Sequence, residues 1–356
     1  MRLFQSKAKS HEDILDTTLY TLPKTKDPIT WADSLEGVLI TGSTGSGKTS
    51  GAGKHIAKAI LKNKFGMCIL CSKKNERENW IKLIEKHAPE RMKDVVVFNK
   101  DSGLHFNFLE YEMTRTGEGS GEVLNAIEAL IGLNDLNRVY LSGGASGKDE
   151  RFWDLSLRRL ISRSISTLRK TGEEISIVNM RRLVTDSFKA NEADHYQTLE
   201  HQSMNENIDP AKRQKTIEEL DNWVASNYFL RVLLSISALD EDEIHLLMNY
   251  WLREFPKIGE HASSIIIVSF MGIVEPFLNN GILKDHFSFG LSEELTPENS
   301  YQKNSIIIID FPVKEFGIAA IYAAMIYKTT FQAAMERRTW GKTKQNHVVV
   351  GFDQRV

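Results

Sequence analysis

Gly42-Ser43-Thr44-Gly45-Ser46-Gly47-Lys48-Thr49, followed by Ser50, fits G-x-x-x-x-G-K-[ST] in full. The glycines let the backbone curl until successive N–H groups point inward, and a helix starting near Lys48 adds the positive end of its dipole. Such a loop is built for the phosphates of a nucleoside triphosphate. Lys48 is expected against the β- and γ-phosphates and the Thr49 hydroxyl on Mg2+, so ATP and Mg2+ are the expected cofactors, bound by Gly42 to Ser50.

Turnover also needs a carboxylate at the end of a neighbouring strand to hold the metal, usually followed by a glutamate that orients the attacking water. Asp310 follows four isoleucines, but Phe311 and Pro312 come next and no general base accompanies it. Asp353 follows VVVGF and precedes Gln354, an amide that can hydrogen-bond water but cannot take its proton at neutral pH. Spacing alone does not separate the two aspartates. GGASGK at Gly143–Lys148 lacks both the spacing and a preceding strand, and reads as a plain loop.

The elements around these residues alternate. Gly37–Ile40 is a short apolar run entering the loop, and Ile56, Ala59, Ile60 and Leu61 then recur at helical spacing. Met67–Cys71 reads as a second strand, Trp80, Leu83, Ile84 and His87 as one face of a helix, and Val95–Phe98 as a third strand. Strand–helix alternation implies a parallel α/β sheet. After about Glu112 the pattern becomes helical: TRTGEGSGE and LSGGASGKDE read as flexible punctuation, with helices expected at 122–133, 152–168, 217–233 and 241–255 and a polar stretch at 189–215. Strand character returns at NSIIIIDFP, a long helix follows from about Glu315 to Arg338, and HVVVGFDQRV is a last strand. The expected domains are a first part of the nucleotide domain at 1–111, an all-helical insertion at 112–257 and the second part at 258–356, with its core incomplete.

The chain has 356 residues, 41% hydrophobic and 26% charged, with a formal net charge of −2. That is a globular balance with no overall basic excess, so nucleic-acid contact has to come from local patches or assembled subunits. Cys68 and Cys71 lie inside a buried-looking strand and read as core residues, in keeping with a reducing compartment. The N-terminal stretch lacks the apolar core of a signal peptide, and the runs around SIIIVSFMGIV and FGIAAIYAAMIY fall short of a bilayer span, so no transmembrane segment is expected.

VVVFNKDSGLHFNFLEYE after the loop, with RFWDLSLRRLISRSI, IIIIDFPVKEFG and YKTTFQAAMERR in that order, resembles the conjugative DNA-transfer ATPases, the coupling proteins of type IV secretion, which group with FtsK-like and HerA-like translocases. The resemblance spans most of Gly37 to Val350. It implies a RecA-like P-loop NTPase sheet with a large inserted all-α domain, and a six-membered ring that moves DNA with ATP bound between neighbours. It also implies relaxase or secretion-channel proteins as partners, and a cytoplasmic place, at the inner face of the membrane where a partner holds it.

The family's Asp-Glu pair follows the strand after the FQAAMERR helix, which puts Asp353 at the aspartate, with Gln354 standing where the glutamate is expected. The resemblance therefore favours Asp353 over Asp310 and gives Lys48, Asp353 and Gln354 as the catalytic set. The sequence departs from the pattern twice. Family members carry an N-terminal membrane anchor not seen here, which implies a soluble relative or an anchor on a separate chain. The family also has further strands, with a γ-phosphate-sensing residue and the ring's arginine, where this sequence stops at Val356. It is read as a fragment, a frame-changed ending or a catalytically impaired remnant.

Arg158, Arg159, Arg163, Arg169 and Lys170 flank an apolar stripe of Leu157, Leu160, Ile161, Ile165 and Leu168; the flank reads first as a solvated helix face and second as a DNA- or subunit-facing surface. Arg337 and Arg338 complement a helix dipole or approach a neighbour's nucleotide. The functions to separate are a DNA-moving ATPase, a nucleotide-binding module that does not hydrolyse, and a small-molecule P-loop kinase.

Overall fold

The computed structural model describes residues 14–35, 37–41, 43, 47, 49–142, 150–236, 241–338 and 350–353. They form an α/β protein, mostly helical, in two units. The first comprises Met1–Asn99, Glu294–Phe316 and Phe331–Val356, and the second Lys100–Glu293 and Gly317–Thr330. The sequence-level boundaries at 111/112 and 257/258 lie elsewhere, because residues 100–111 and 258–293 carry helix and loop that pack within the helical unit.

In the first unit a hairpin of β1 (Thr18–Thr21) and β2 (Pro28–Thr30) precedes a single helical turn, Trp31–Ser34. The Thr30 hydroxyl accepts from the Asp33 N–H at 3.2 Å while the Asp33 carboxylate accepts from the Thr30 N–H at 2.7 Å, a reciprocal cap. Then come α1 (Lys54–Lys62), β3 (Met67–Cys71), α2 (Glu76–His87), β4 (Val95–Phe98), β5 (Ile306–Asp310) and β6 (Val350–Asp353). The strands from β3 to β6 form one parallel sheet in the order β4-β5-β3-β6.

Every residue of β3 is buried, as expected of a parallel strand covered on both faces, and Cys68 and Cys71 are the core residues their setting suggested. Side chains alternate across a strand. Met67, Ile69 and Cys71 of β3, with Ile306 and Ile308 of β5, join a core with Ile56, Ile60 and Leu61 of α1 and with Trp80, Leu83 and Ile84 of α2. Both helices therefore cover the same face. His87, expected on the apolar face of α2, is exposed.

The crossing into β3 is tight. A Cβ on Gly66 would stand 1.7 Å from the Ser300 carbonyl oxygen. Beside it Arg91 is buried, its Nε on Asp94 at 2.6 Å and its terminal nitrogens on the carbonyls of Phe65 at 3.3 Å and Asn304 at 2.5 Å.

Residues 37–40 are not a strand. Among the described residues they pair with no strand; the Gly37 N–H donates to the Ser34 carbonyl at 3.0 Å, Leu39 is 88% exposed, and Gly37 takes a left-handed φ of 99° that turns the chain. A short apolar run becomes a strand only where an edge accepts it. The expected long helix from Glu315 is also broken: Val313–Phe316 stops at Gly317, whose φ is 55°, before α8 (Ile318–Glu336) begins.

The helical unit contains α3 (Val123–Ser142), α4 (Glu150–Thr171), α5 (Ala190–Met204), α6 (Pro210–Ser226), α7 (Glu260–Asn279) and the start of α8. The stretch taken as merely polar at 189–215 is helical on both sides of a break at 205–209. Asp209 caps α6 by accepting from the N–H groups of Ala211 and Lys212, with Pro210 at the first helical position. The helix expected at 217–233 breaks at Asn227, whose side chain accepts from the Leu230 N–H at 2.8 Å and starts a new helix, Tyr228–Leu234. The turn 143–149 lies outside the described residues.

TRTGEGSGE is pinned rather than flexible. Arg115, buried, donates to Glu112 at 2.8 Å and to the carbonyls of Glu118 and Gly119, and Arg169 donates to the Gly121 carbonyl at 2.8 Å. The glycines supply the positive φ values that turn the chain past both arginines.

By length and composition α7 could cross a bilayer, which corrects the sequence estimate that the SIIIVSFMGIV run is too short. Neutral Ala, Ser and Gly residues extend the apolar stretch. Its exposed positions, however, form one stripe of Glu260, His261, Ser264, Val268, Gly272, Glu275 and Asn279. Ile266, Phe270, Ile273, Val274 and Phe277 are buried and form the inward face, while Val268 stays on the exposed stripe.

Candidate nucleotide site

The wide helical turn Thr49–Gly53 leads into α1, with a non-helical Gly51 at φ −94° and ψ −108°, and the Gly51 N–H donates to the Gly47 carbonyl at 2.7 Å. Gly47 has φ 84°, a value that a residue with a side chain rarely adopts. Ser43 is exposed. Gly42, Thr44, Gly45, Ser46, Lys48 and Gln354 lie outside the described residues, and Thr49, Ser50 and Asp353 are described by backbone alone.

All the strands of the main sheet end on the same side, because all are parallel, and in such sheets ligands bind outside the carboxyl ends. Asp310 pairs with Cys71, whereas Asp353 pairs with Leu70, so the two aspartates stand on either side of β3 in consecutive rows. Consecutive rows belong to opposite faces. Asp310 is in the row of Cys71, on the face covered by α1 and α2.

Arg77, which the sequence reading passed over, takes up the Asp310 carboxylate. Its guanidinium is 3.2 Å from Asp310 and 2.6 Å from Glu78. Burial pushes the Asp310 carboxyl above its ordinary value, Arg77 opposes that, and Glu78, Glu315 and Glu76 add to it. Burial likewise raises the Cys71 thiol, with Asp310 adding to the effect, so the thiol is a packing group rather than a nucleophile.

Around this pair the turn after β3 is built by side chains of α2. Glu76 accepts from the N–H groups of Ser72 and Lys73 at 3.0 and 3.2 Å, and the Ser72 carbonyl accepts from Val313 at 3.1 Å. Lys74 pairs with Glu315 at 3.1 Å. The signal for this cluster was present in KKNERENW, where charges crowd the end of a buried strand, but only the apolar spacing of that stretch was used.

The basic flank of α4 spends its charge within the helical unit. Arg158 pairs with Asp154 at 2.9 Å and with Glu128, Arg159 pairs with Glu254 and lies 5.4 Å from the Tyr250 ring centre, and Lys170 pairs with Glu243. Arg169 instead donates to the Gly121 carbonyl, and among the described residues no carboxylate pairs with its charge. Arg337 and Arg338 follow the end of α8; burial pushes the Arg338 guanidinium below its ordinary value.

Fold and residues together define an α/β protein carrying the full phosphate-loop sequence ahead of a helix. No protein-family model, curated protein or solved structure matches the chain.

Proposed function

We propose that this chain is a cytoplasmic P-loop ATPase of the conjugative DNA-transfer type, with a RecA-like nucleotide domain, acting as a homo-oligomeric, six-membered ring on DNA. Relaxase or secretion-channel proteins are its partners in this reading, and one of them would hold it at the inner face of the membrane. The single observation behind the reading is the complete Gly42–Thr49 spacing, joined to α1 by the wide turn Thr49–Gly53.

In this proposal the backbone from Gly42 to Thr49 and the N-terminal end of the following helix hold the phosphates, and Lys48 neutralises the β- and γ-oxygens. Thr49 and Asp353 would hold Mg2+, which supplies positive charge between the terminal phosphates. The Arg77 pair supports Asp353, since the Asp310 carboxylate already has a cationic partner. The register supports Asp310, which shares the face of α1. Asp310→Asn and Asp353→Asn, compared for Mg2+-dependent ATP binding, decide between them.

Gln354 orients water in this reading without taking its proton, and that one residue favours a second reading: a nucleotide-binding module that does not turn ATP over. Phosphate release from MgATP, with and without single- and double-stranded DNA and with Lys48→Ala as the blank, tests both. DNA-stimulated release above the blank supports the motor. ATP binding without release supports the module, and equal ATP binding by Lys48→Ala overturns both.

A further inference from the structure

The helical unit carries an open surface hollow of about 410 Å3, lined by the exposed Asn191, His195 and Glu219 and the half-buried Glu192 and Trp223, from the start of α5 and the end of α6. The Trp223 ring is backed by Phe188 at 5.2 Å and Tyr196 at 6.4 Å, and it meets the His195 ring of the hollow itself at 5.6 Å, centre to centre.

The polar side is acidic. One Glu219 oxygen is 3.1 Å from His195 Nε2, and one Glu192 oxygen accepts from the Lys189 N–H at 2.8 Å. Each carboxylate keeps a second oxygen for an incoming donor. Among the described residues no lysine or arginine side chain lines the hollow, and His195 is the lining group that can carry positive charge.

We propose that this hollow binds an arginine side chain presented by a partner peptide. The guanidinium lies over the Trp223 ring and donates to Glu219 and Glu192, while the methylene stem covers the indole edge. A planar five-donor fork suits a flat ring beside two carboxylates better than the point charge of lysine does. Phosphate and nucleic acid are repelled by the same carboxylates, so this part of the helical unit faces protein rather than DNA. Among the described residues no group of His, Cys, Asp and Glu is arranged to hold a metal. The inference does not depend on the nucleotide reading.

The test is fluorescence anisotropy of a labelled Gly-Arg-Gly-Arg-Gly peptide titrated with the full chain, beside lysine and glutamate versions of the peptide. The arginine peptide is expected to bind best and to weaken with added salt. Glu219→Gln and Trp223→Ala are each expected to weaken it about tenfold, from the loss of a charged hydrogen bond or of the ring face. Trp223→Phe, which keeps an aromatic wall, retains most of the binding. Asp221→Asn removes a charge from the same helix outside the hollow and should bind as the parent does. No binding by the parent, unchanged binding by Glu219→Gln, or an equal loss in Asp221→Asn would overturn the proposal.

Discussion

Arg77 and Asp310 form an ion pair at 3.2 Å across the carboxyl ends of β3 and β5, where burial raises the carboxyl and the guanidinium restrains it. A carboxyl raised in the folded state keeps its proton longer there than in the unfolded chain. Its stabilising contribution is therefore complete below the ordinary value of 3.8 and is lost as the pH rises through the raised value. Urea titrations of Asp310→Asn should lack this fall. In Arg77→Ala the fall extends to higher pH, and stability at pH 7 drops by about 1–2 kcal/mol from the unpaired, half-buried carboxylate. Adding Asp310→Asn to Arg77→Ala should return most of that loss, which a double-mutant cycle measures.

Glycine substitutions should act with opposite signs at two positions. At Gly66 a Cβ meets the Ser300 carbonyl at 1.7 Å, backbone against backbone, so Gly66→Ala should cost more than about 3 kcal/mol or prevent soluble expression. Gly272 has open space around its Cβ within α7, so Gly272→Ala should stabilise by about 0.5–1 kcal/mol. Thermal melting of the two variants against the parent reads both.

Arg115 and Glu112 are both buried and bonded at 2.8 Å, and Arg115 also holds the carbonyls of Glu118 and Gly119. Arg115→Ala leaves a buried charge without its partner and should cost about 3–5 kcal/mol. Hydrogen exchange should then quicken across 116–122, the loop that the guanidinium pins.

α7 supplies a prediction about its surroundings. Val268 is 69% exposed on a stripe of polar and small residues, so Val268→Lys should change stability by less than about 0.5 kcal/mol in aqueous buffer. Phe270, fully buried, does not tolerate lysine, and Phe270→Lys should not fold. If Val268→Lys instead loses folding or needs detergent, the exposed stripe is covered in the native protein.

Much of the local order was legible in the residues. The phosphate-loop spacing, the buried strand MCILC, the isoleucine run of β5 and the amphipathic stripe of α4 follow from periodicity and turn chemistry, because neighbours in sequence decide those patterns. Helix breaks at Asn227 and Gly317 were written in residue type but outweighed by the apolar run around each.

Tertiary structure decided the rest. Gly37–Ile40 has the composition of a strand, yet a strand exists only when another edge supplies its hydrogen bonds, and composition does not say which edge is free. TGEGSGE reads as loose, yet Arg115 beside it folds back onto the Glu118 and Gly119 carbonyls and Arg169 reaches Gly121 from a helix distant in sequence. Asp310 and Asp353 look alike after a run of apolar residues, and only the strand order β4-β5-β3-β6 separates them by row and gives one of them to Arg77. The sequence by itself determined which residues prefer helix, strand or turn and which could cradle a phosphate. The pairing of Arg77 with Asp310, the burial of Arg91 and the assignment of α7 to the helical unit depend on contacts between distant segments, which form only when the whole chain folds.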